Sequence, residues 1–591
     1  MKHKEENMFK TKKTLPLILT FFGLSTALVS CGRDDPNNES NEPIDDTKTQ
    51  LWVKYHNGGL RREWMDKVCD QFESDYASYS FEPGKTGVQI RKDFEKNSIQ
   101  VDAITSSSYQ VFVMENVDYY QFAAKNTLLD ITDVVKGNAA IDAATKESKT
   151  IESKMYKDSK DFYNLGTESE PHYYGLPFYT NACSINYNVD LFDEKGFYFA
   201  KDKTAEGFNE DELNSYEAVS ELFITSLDDE KSLGPNGKTG VIDGFDYSYD
   251  DGLPATYADF HALMTYMSRE GVTPIAWNGY EKGYLTSLAL NAYTNSIGYD
   301  QAKNILTFSG TSTDILKLDS NFRPILDKDG NYEYEENLVV NPSNVYKTHQ
   351  QKGLLDAVNF VKTIMGNKDY YLAEGFKGTF MHTTAQNYFI NGMDDPTLVP
   401  NGQPIGMLVE GSWWNSEATP AYKGNEKMSK KFGILPTPKP TASQIGEGNT
   451  TLADRDSSMF INSACPENLL GVAKTFLSYL NSDKAMNTFS RYTDMMRMMD
   501  YELSEETLSN MSYYGNQMYK YFHAPDTKHI DWRPQSDEAS KKTSSLSYRK
   551  WGFSIDASND NPFEFFNKNQ NASAEDLFAK INKYFSTSWS K

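Results

Sequence analysis

Residues 410–417 read EGSWWNSE, directly after the apolar run IGMLV. Two tryptophans, Trp413 and Trp414, stand beside two carboxylates, Glu410 and Glu417, and a Gly-Ser turn. Paired carboxylates beside aromatics are the groups a glycoside hydrolase needs, one as acid and one as nucleophile or base. They are also the groups that hold an intact sugar. An aromatic face covers the apolar C–H side of a pyranose, and a carboxylate accepts its hydroxyl protons. Neighbours on a strand point to opposite faces, so one tryptophan can support a core while the other faces a cleft. Spacing in sequence does not set the carboxylate separation that hydrolysis requires. The chain has no Gly-x-Ser-x-Gly with a credible triad, no His-Glu-x-x-His and no phosphate-binding glycine loop. These residues point to binding without chemistry on the ligand, and a surface hydrolase is the weaker reading.

Further candidates lie at the ends of predicted strands. TQLWVKYHNGG reads as a strand ending at His56 and Asn57, and IQVDAITSSS as a third strand ending at Ser106 and Ser107, with Tyr109 just beyond. Tyr179 and Asn181 follow LPF, and Trp277 and Asn278 end the strand in GVTPIAW. Each also has a structural reading. Asn57 can cap a helix, serine runs serve turns, Trp277 can sit in a core, and Glu410 can pair with a lysine. Trp551, in the aromatic tail, is one more aromatic candidate.

The elements that position these residues alternate. The first strand is followed by LRREWMDKVCDQFESDY, with apolar residues at Leu60, Trp64, Val68 and Phe72, a helical spacing. GVQIRKDF reads as the second strand, and SYQVFVMENVDYYQFAAKNTLLDITDVV as mostly helical. YNVDLF starts a helix capped by Asn188 or Asp190, and TYADFHALMTYMSREG is a Thr-initiated amphipathic helix. Strands alternating with helices predict a parallel sheet, whose ligands bind beyond the carboxyl ends of the strands. Residues 198–256 read mostly as loops. FRPILDKDGNYEYEE reads as a hairpin around Asp329 and Gly330. As a calcium loop it fails at the first ligand position, Ile325, and its flanks alternate like strands.

The chain of 591 residues is too long for one core. A net charge of −24 excludes nucleic acid and anionic surfaces as general partners, whereas 38 tyrosines suit a wet binding cleft. A lysine-bearing start precedes TLPLILTFFGLSTALVS, which has signal-peptide size and is interrupted by Pro16 and Gly23. It ends in LVSCG, like a bacterial lipobox with Cys31 as the acylated residue. The acidic, apolar-poor stretch after it reads as a disordered tether over 31–50. Cys69, Cys183 and Cys465 remain, too sparse for a disulfide framework or a metal site. Neither a metal nor a cofactor is expected.

The order of these units resembles the extracellular solute-binding proteins of ATP-driven (ABC) importers, in the sugar-type branch related to maltose-binding protein. LPFYTNACSINYNVDLFDEKGF resembles the segment in which that family crosses between lobes. TYADFHALMTYMSREGVTPIAW, AQNYFINGM with IGMLVEGSWWNSE, and ACPENLLGVAKTFLSYLNSDKAMNTF resemble three further stretches in the same order, spanning roughly 50–500. The resemblance implies an α/β fold: a two-lobed clamp whose lobes are mixed, mostly parallel sheets flanked by helices. The backbone would cross near Pro177 and again near Asp454. Lobe 1 would hold 51–177 and about 455–500, and lobe 2 about 178–454 and 501–591, with insertions near 198–256 and 310–345. Trp413 matches the tryptophan that stacks on sugar. Asn181 falls where a polar ligand residue follows the hinge, and Arg455 lies near the second crossing, able to bind ligand or bridge lobes. The implied protein is monomeric, held by lipid on Cys31 to the outer face of the cytoplasmic membrane. It delivers a carbohydrate to a permease. A peptide or polyamine ligand is the rival within this class.

Overall fold

The structure is a computed structural model that describes residues 43–589, apart from 57, 96–98, 116, 181, 201–202, 225–251, 454–456, 525–526, 537–538 and 540–551. Cys31, Asn57, Asn181, Arg455 and Trp551 therefore lie outside the described residues.

Two sheets organise the chain. The first has five strands in the order Val88–Glu95, Thr49–His56, Val111–Met114, Ser458–Ile461, Leu176–Pro177. The first three are parallel and the fourth runs against its neighbours. The second has four strands in the order Phe432–Leu435, Cys183–Asn188, Ile405–Gly411, Thr273–Trp277. Only its last pair is parallel. Each sheet is therefore mixed, and the second is mostly antiparallel.

Local sequence explains most elements. In the helix Glu63–Asp75, Trp64, Val68 and Phe72 fall on one face and are buried. Asn188 caps the helix Val189–Lys195 by accepting from Leu191 N–H. Thr256 and Asp259 form a reciprocal capping box at Tyr257–Arg269. The Asp329–Gly330 turn closes a narrow ribbon bridged at Leu326 and Tyr332, with Gly330 at φ 85°. Two features differ from expectation: the second sheet is mostly antiparallel where mostly parallel sheets were expected, because Cys183–Asn188 runs against both its neighbours, and one strand is displaced. Val101–Ile104 is a single helical turn, and the third strand is Val111–Met114 inside the stretch expected to be helical. Val-Phe-Val-Met is buried on both faces between two other strands. A short continuous apolar run carries no period that separates such a strand from a buried helix.

The chain passes between the sheets at Phe178–Cys183, between Leu452 and Ser457, and again after the helix Asp483–Thr493. The helix Tyr513–His523 then packs on the strand Phe432–Leu435, and Thr527–Ile530 pairs in parallel with Asn449–Leu452. Arg497 braces these passages. It is 2% exposed, and its guanidinium donates to Phe178 O, Leu480 O and Asn481 Oδ1. Burial lowers its pKa to about 10, within the range where it stays charged at neutral pH. Replacing Arg497 by Met strips its hydrogen bonds from three buried acceptors, of which Phe178 O keeps the N–H of Met498. We expect a loss of about 3 kcal/mol or more, since each such group costs roughly 1–3 kcal/mol. Urea unfolding of Arg497→Met against the parent checks this.

Candidate ligand-binding site

The strand Ile405–Gly411 ends where Ser412 clasps the first passage. Ser412 N–H donates to Ala182 O at 2.9 Å, and Ala182 N–H donates to Ser412 Oγ at 3.1 Å. Trp413 then precedes the helical turn Trp414–Glu417. The two tryptophans thus lie beyond the strand, and the turn separates them. Trp414 is fully buried, edge-on to Phe389, Phe432 and Tyr514, and supports the core instead of reaching a ligand. Trp413 is half-buried and lies edge-on to Tyr284, with centroids 5.8 Å apart. Its pyrrole side abuts Gly59 of the first sheet's leading loop, and its benzo side abuts Gly411; a Cβ at either glycine would overlap the ring.

Facing it from the first sheet is a polar cluster at strand ends. His56 closes the first strand with Nε2 3.0 Å from Glu115 Oε2, and Tyr179 donates its hydroxyl to Glu115 Oε1. Behind Trp413 stands a second cluster. Gln386 Nε2 donates to Glu410 at 3.3 Å and to Glu417 at 2.8 Å. His382 Nε2 lies 3.4 Å from Glu417, and Gly411 N–H donates to Glu410 at 3.1 Å. Glu410 is 1% exposed. Burial, with the nearby charge of Glu417, pushes its carboxyl up to about 8. The hydrogen bond that His382 donates to Glu417 raises the pKa of the histidine. Burial, with the charges of Glu410 and Glu417, raises Tyr284 far above the usual phenol range. This arrangement can hold a polyhydroxylated ring: an aromatic platform in the middle, with acceptors and donors on both sides.

Trp413, Glu410, Tyr179 and His56 thus lie at or beside this seam. Other expected residues do not. Trp277 is fully buried, stacked on Tyr371 at 5.3 Å and flanked by Phe376 and Phe563, a core position. Asn278 accepts from Glu281 N–H at 2.6 Å and shapes the turn into the next helix. Ser106, Ser107 and Tyr109 precede the true third strand, at its amino end, whereas Glu115 marks the carboxyl end. There Ser107 Oγ accepts from Tyr109 N–H, and Tyr109 donates to Asp93 at 2.9 Å. Glu115, Tyr284, His382 and Gln386 were not expected. Glu115 was hidden by the misplaced third strand. Tyr284 had a signal, because it opens the helix after a predicted strand end, where the crevice of an α/β sheet lies.

No family model matches this sequence, and no curated protein does. Solved structures match nearly the whole chain. The unliganded structure of RafE from Streptococcus pneumoniae is similar at 13% identity, with a TM-score of 0.50, over 92% of this chain and 99% of that one. A structure described under xylan utilization by the thermophilic bacterium Caldanaerobius polysaccharolyticus is similar at 11% identity, with a TM-score of 0.50, over 90% and 99%. The likeness is one of fold: the chain has the two-lobed α/β architecture of solute-binding proteins.

Glu410 gives a pH prediction with a fixed sign. Its folded pKa of about 8 lies above the ordinary 4.5. The folded state therefore binds the extra proton between these values, and stability falls as pH rises from about 4.5 to 8. Glu410→Gln removes this dependence. Its urea midpoint should exceed the parent's at pH 8, with the gap shrinking toward pH 5. A gap independent of pH would mean that Glu410 is ionised throughout.

Proposed function

We propose that this chain is a lipid-anchored extracellular receptor that captures a carbohydrate between its two lobes and delivers it to the permease of an ABC importer. The observation that carries the reading is Trp413. It is a half-buried indole at the carboxyl end of a central strand, set where residues of both sheets meet. Such a ring, on a turn that ends in Glu417 and abutting Gly59, whose neighbour Gly58 meets His56 and Glu115, matches the apolar face and hydroxyl rim of a sugar. The structure described under xylan utilization lends support through its fold. We assign 51–177 and about 455–500 to one lobe, and about 178–454 with 501–591 to the other. The pairing of Thr527–Ile530 with Asn449–Leu452 supports the place of the tail. Asn181 and Arg455 are proposed as further ligand contacts near the passages, and Asn57 at the first strand's end. The lipobox-like LVSCG supports acylation at Cys31, which would hold the monomer at the outer face of the cytoplasmic membrane. The clamp does its work by closing on the ligand, with no chemical step.

Thermal unfolding of the chain released after Cys31, with saccharides, peptides and polyamines, tests the reading. A ligand that binds only the folded state raises the melting temperature. A saccharide shift without turnover supports the proposal. A shift only with peptides or polyamines overturns the sugar, and turnover overturns the receptor. With the responding saccharide, Trp413→Ala should weaken binding more than about tenfold, as a central aromatic anchor does. Unchanged affinity in a folded variant removes Trp413 from the site.

A further inference from the structure

A second cavity lies away from Trp413, beside the passages between the sheets. Its volume is about 380 Å³. Tyr156 and Asp158 line it from the first sheet's side, Thr180 from the first passage and Met498 from the third. Tyr299, Phe522 and Thr527 line it from the second sheet's side. The surface is mainly apolar and aromatic. The charged groups at its rim are largely engaged. Tyr299 donates its hydroxyl to Asp158, and Lys303 Nζ lies 3.4 Å from Asp158. Lys157 pairs with Asp161 at 3.1 Å, and Lys528 lies over the Tyr299 ring at 5.5 Å. Among these residues Arg497 directs its guanidinium to backbone and amide oxygens, as described above.

We propose that this cavity is a second ligand site, for a flat, mainly apolar ring of phenol or indole size, and that its occupancy biases the hinge. The volume exceeds such a ring, and the aromatic walls offer stacking and edge contacts. A hexose fits poorly, because its many hydroxyls need partners, and against largely engaged charged groups the lining offers little beyond the Thr180 hydroxyl and the His529 ring. Tyr156 and Tyr299 stand on opposite sides of the passages, joined through the Asp158 contact. A ring touching both binds the closed arrangement better than one in which they part. A ligand shifts a conformational equilibrium only through such a difference in affinity. By linkage, a ligand of the main cleft that favours closure must tighten ring binding by the same factor.

The test titrates indole, p-cresol and glucose into the full chain, made with Cys31 unacylated, by calorimetry and saturation-transfer NMR. Indole and p-cresol should bind and glucose should not. Thr527→Trp, which fills the cavity from a half-buried rim position, should weaken ring binding at least tenfold with the thermal midpoint kept. Met498→Phe, filling from the opposite wall, should do the same. Thr527→Val should bind like the parent. Small-angle scattering should give a smaller radius of gyration with indole than without. The site is overturned if neither ring binds at millimolar concentration, or if both filled variants bind as the parent does. An unchanged radius with bound indole overturns the hinge coupling. None of these readouts depends on the identity of the cleft's ligand, so their failure is separate from failure of the receptor reading.

Discussion

The indole of Trp413 fills space that a side chain at position 59 or 411 would occupy. Gly59 belongs to the loop after the first strand of one sheet, and Gly411 ends a central strand of the other. Only because both lack a Cβ can the ring span the seam. A Cβ at 59 would meet Cδ1, Cγ and Cβ of Trp413, the rigid root of the side chain, which cannot swing aside as a lysine tip can. This packing constraint fixes where the two halves approach. Of the remaining candidate residues, Tyr284 lies edge-on to the ring, and His56 with Glu115 meet the same loop at Gly58.

The clusters differ in kind. His56, Glu115 and Tyr179 tie the ends of two strands to the first passage, so the wall they form is set by sheet register. Glu410, Gln386, Glu417 and His382 form a buried-to-half-buried chain behind the platform. Desolvation of Glu410 beside Glu417 favours its neutral form. A neutral carboxylic acid there avoids two adjacent buried charges and keeps the wall packed. On the other side of the passages Arg497, itself in the third, holds Phe178 O of the first and two oxygens of Leu480 and Asn481.

Much of this was legible in the sequence. The helices Glu63–Asp75 and Tyr257–Arg269 announced themselves by period and, in the second, by a Thr start, and the Gly-Ser turn marked the end of the strand before Trp413. That one tryptophan of the pair would support a core was also legible, and Trp414 does so, though not for the reason of strand alternation. They are separated by a turn and not by strand alternation. Val111–Met114 was not legible, because its burial on both faces erases the alternation that marks a strand. With the strand at Val111–Met114, its carboxyl end carries Glu115, and Ser107 and Tyr109 fall at its amino end. Trp277 looked like a strand-end contact, but its burial depends on Tyr371, Phe376 and Phe563, far away in sequence. Gln386 and His382 could not be placed at all, since only tertiary packing brings their helix to Glu417.

Gly59→Ala probes the seam at Trp413 with one methyl group. The measurement is the affinity of that variant for the saccharide that stabilises the parent, with the unfolding midpoint recorded alongside. If the ring is both the platform and the meeting point of the lobes, the methyl displaces it. Affinity then falls at least about tenfold, the scale of a central anchor, while the midpoint stays near the parent's. An unchanged affinity in the folded variant would place the ligand elsewhere and contradict the account.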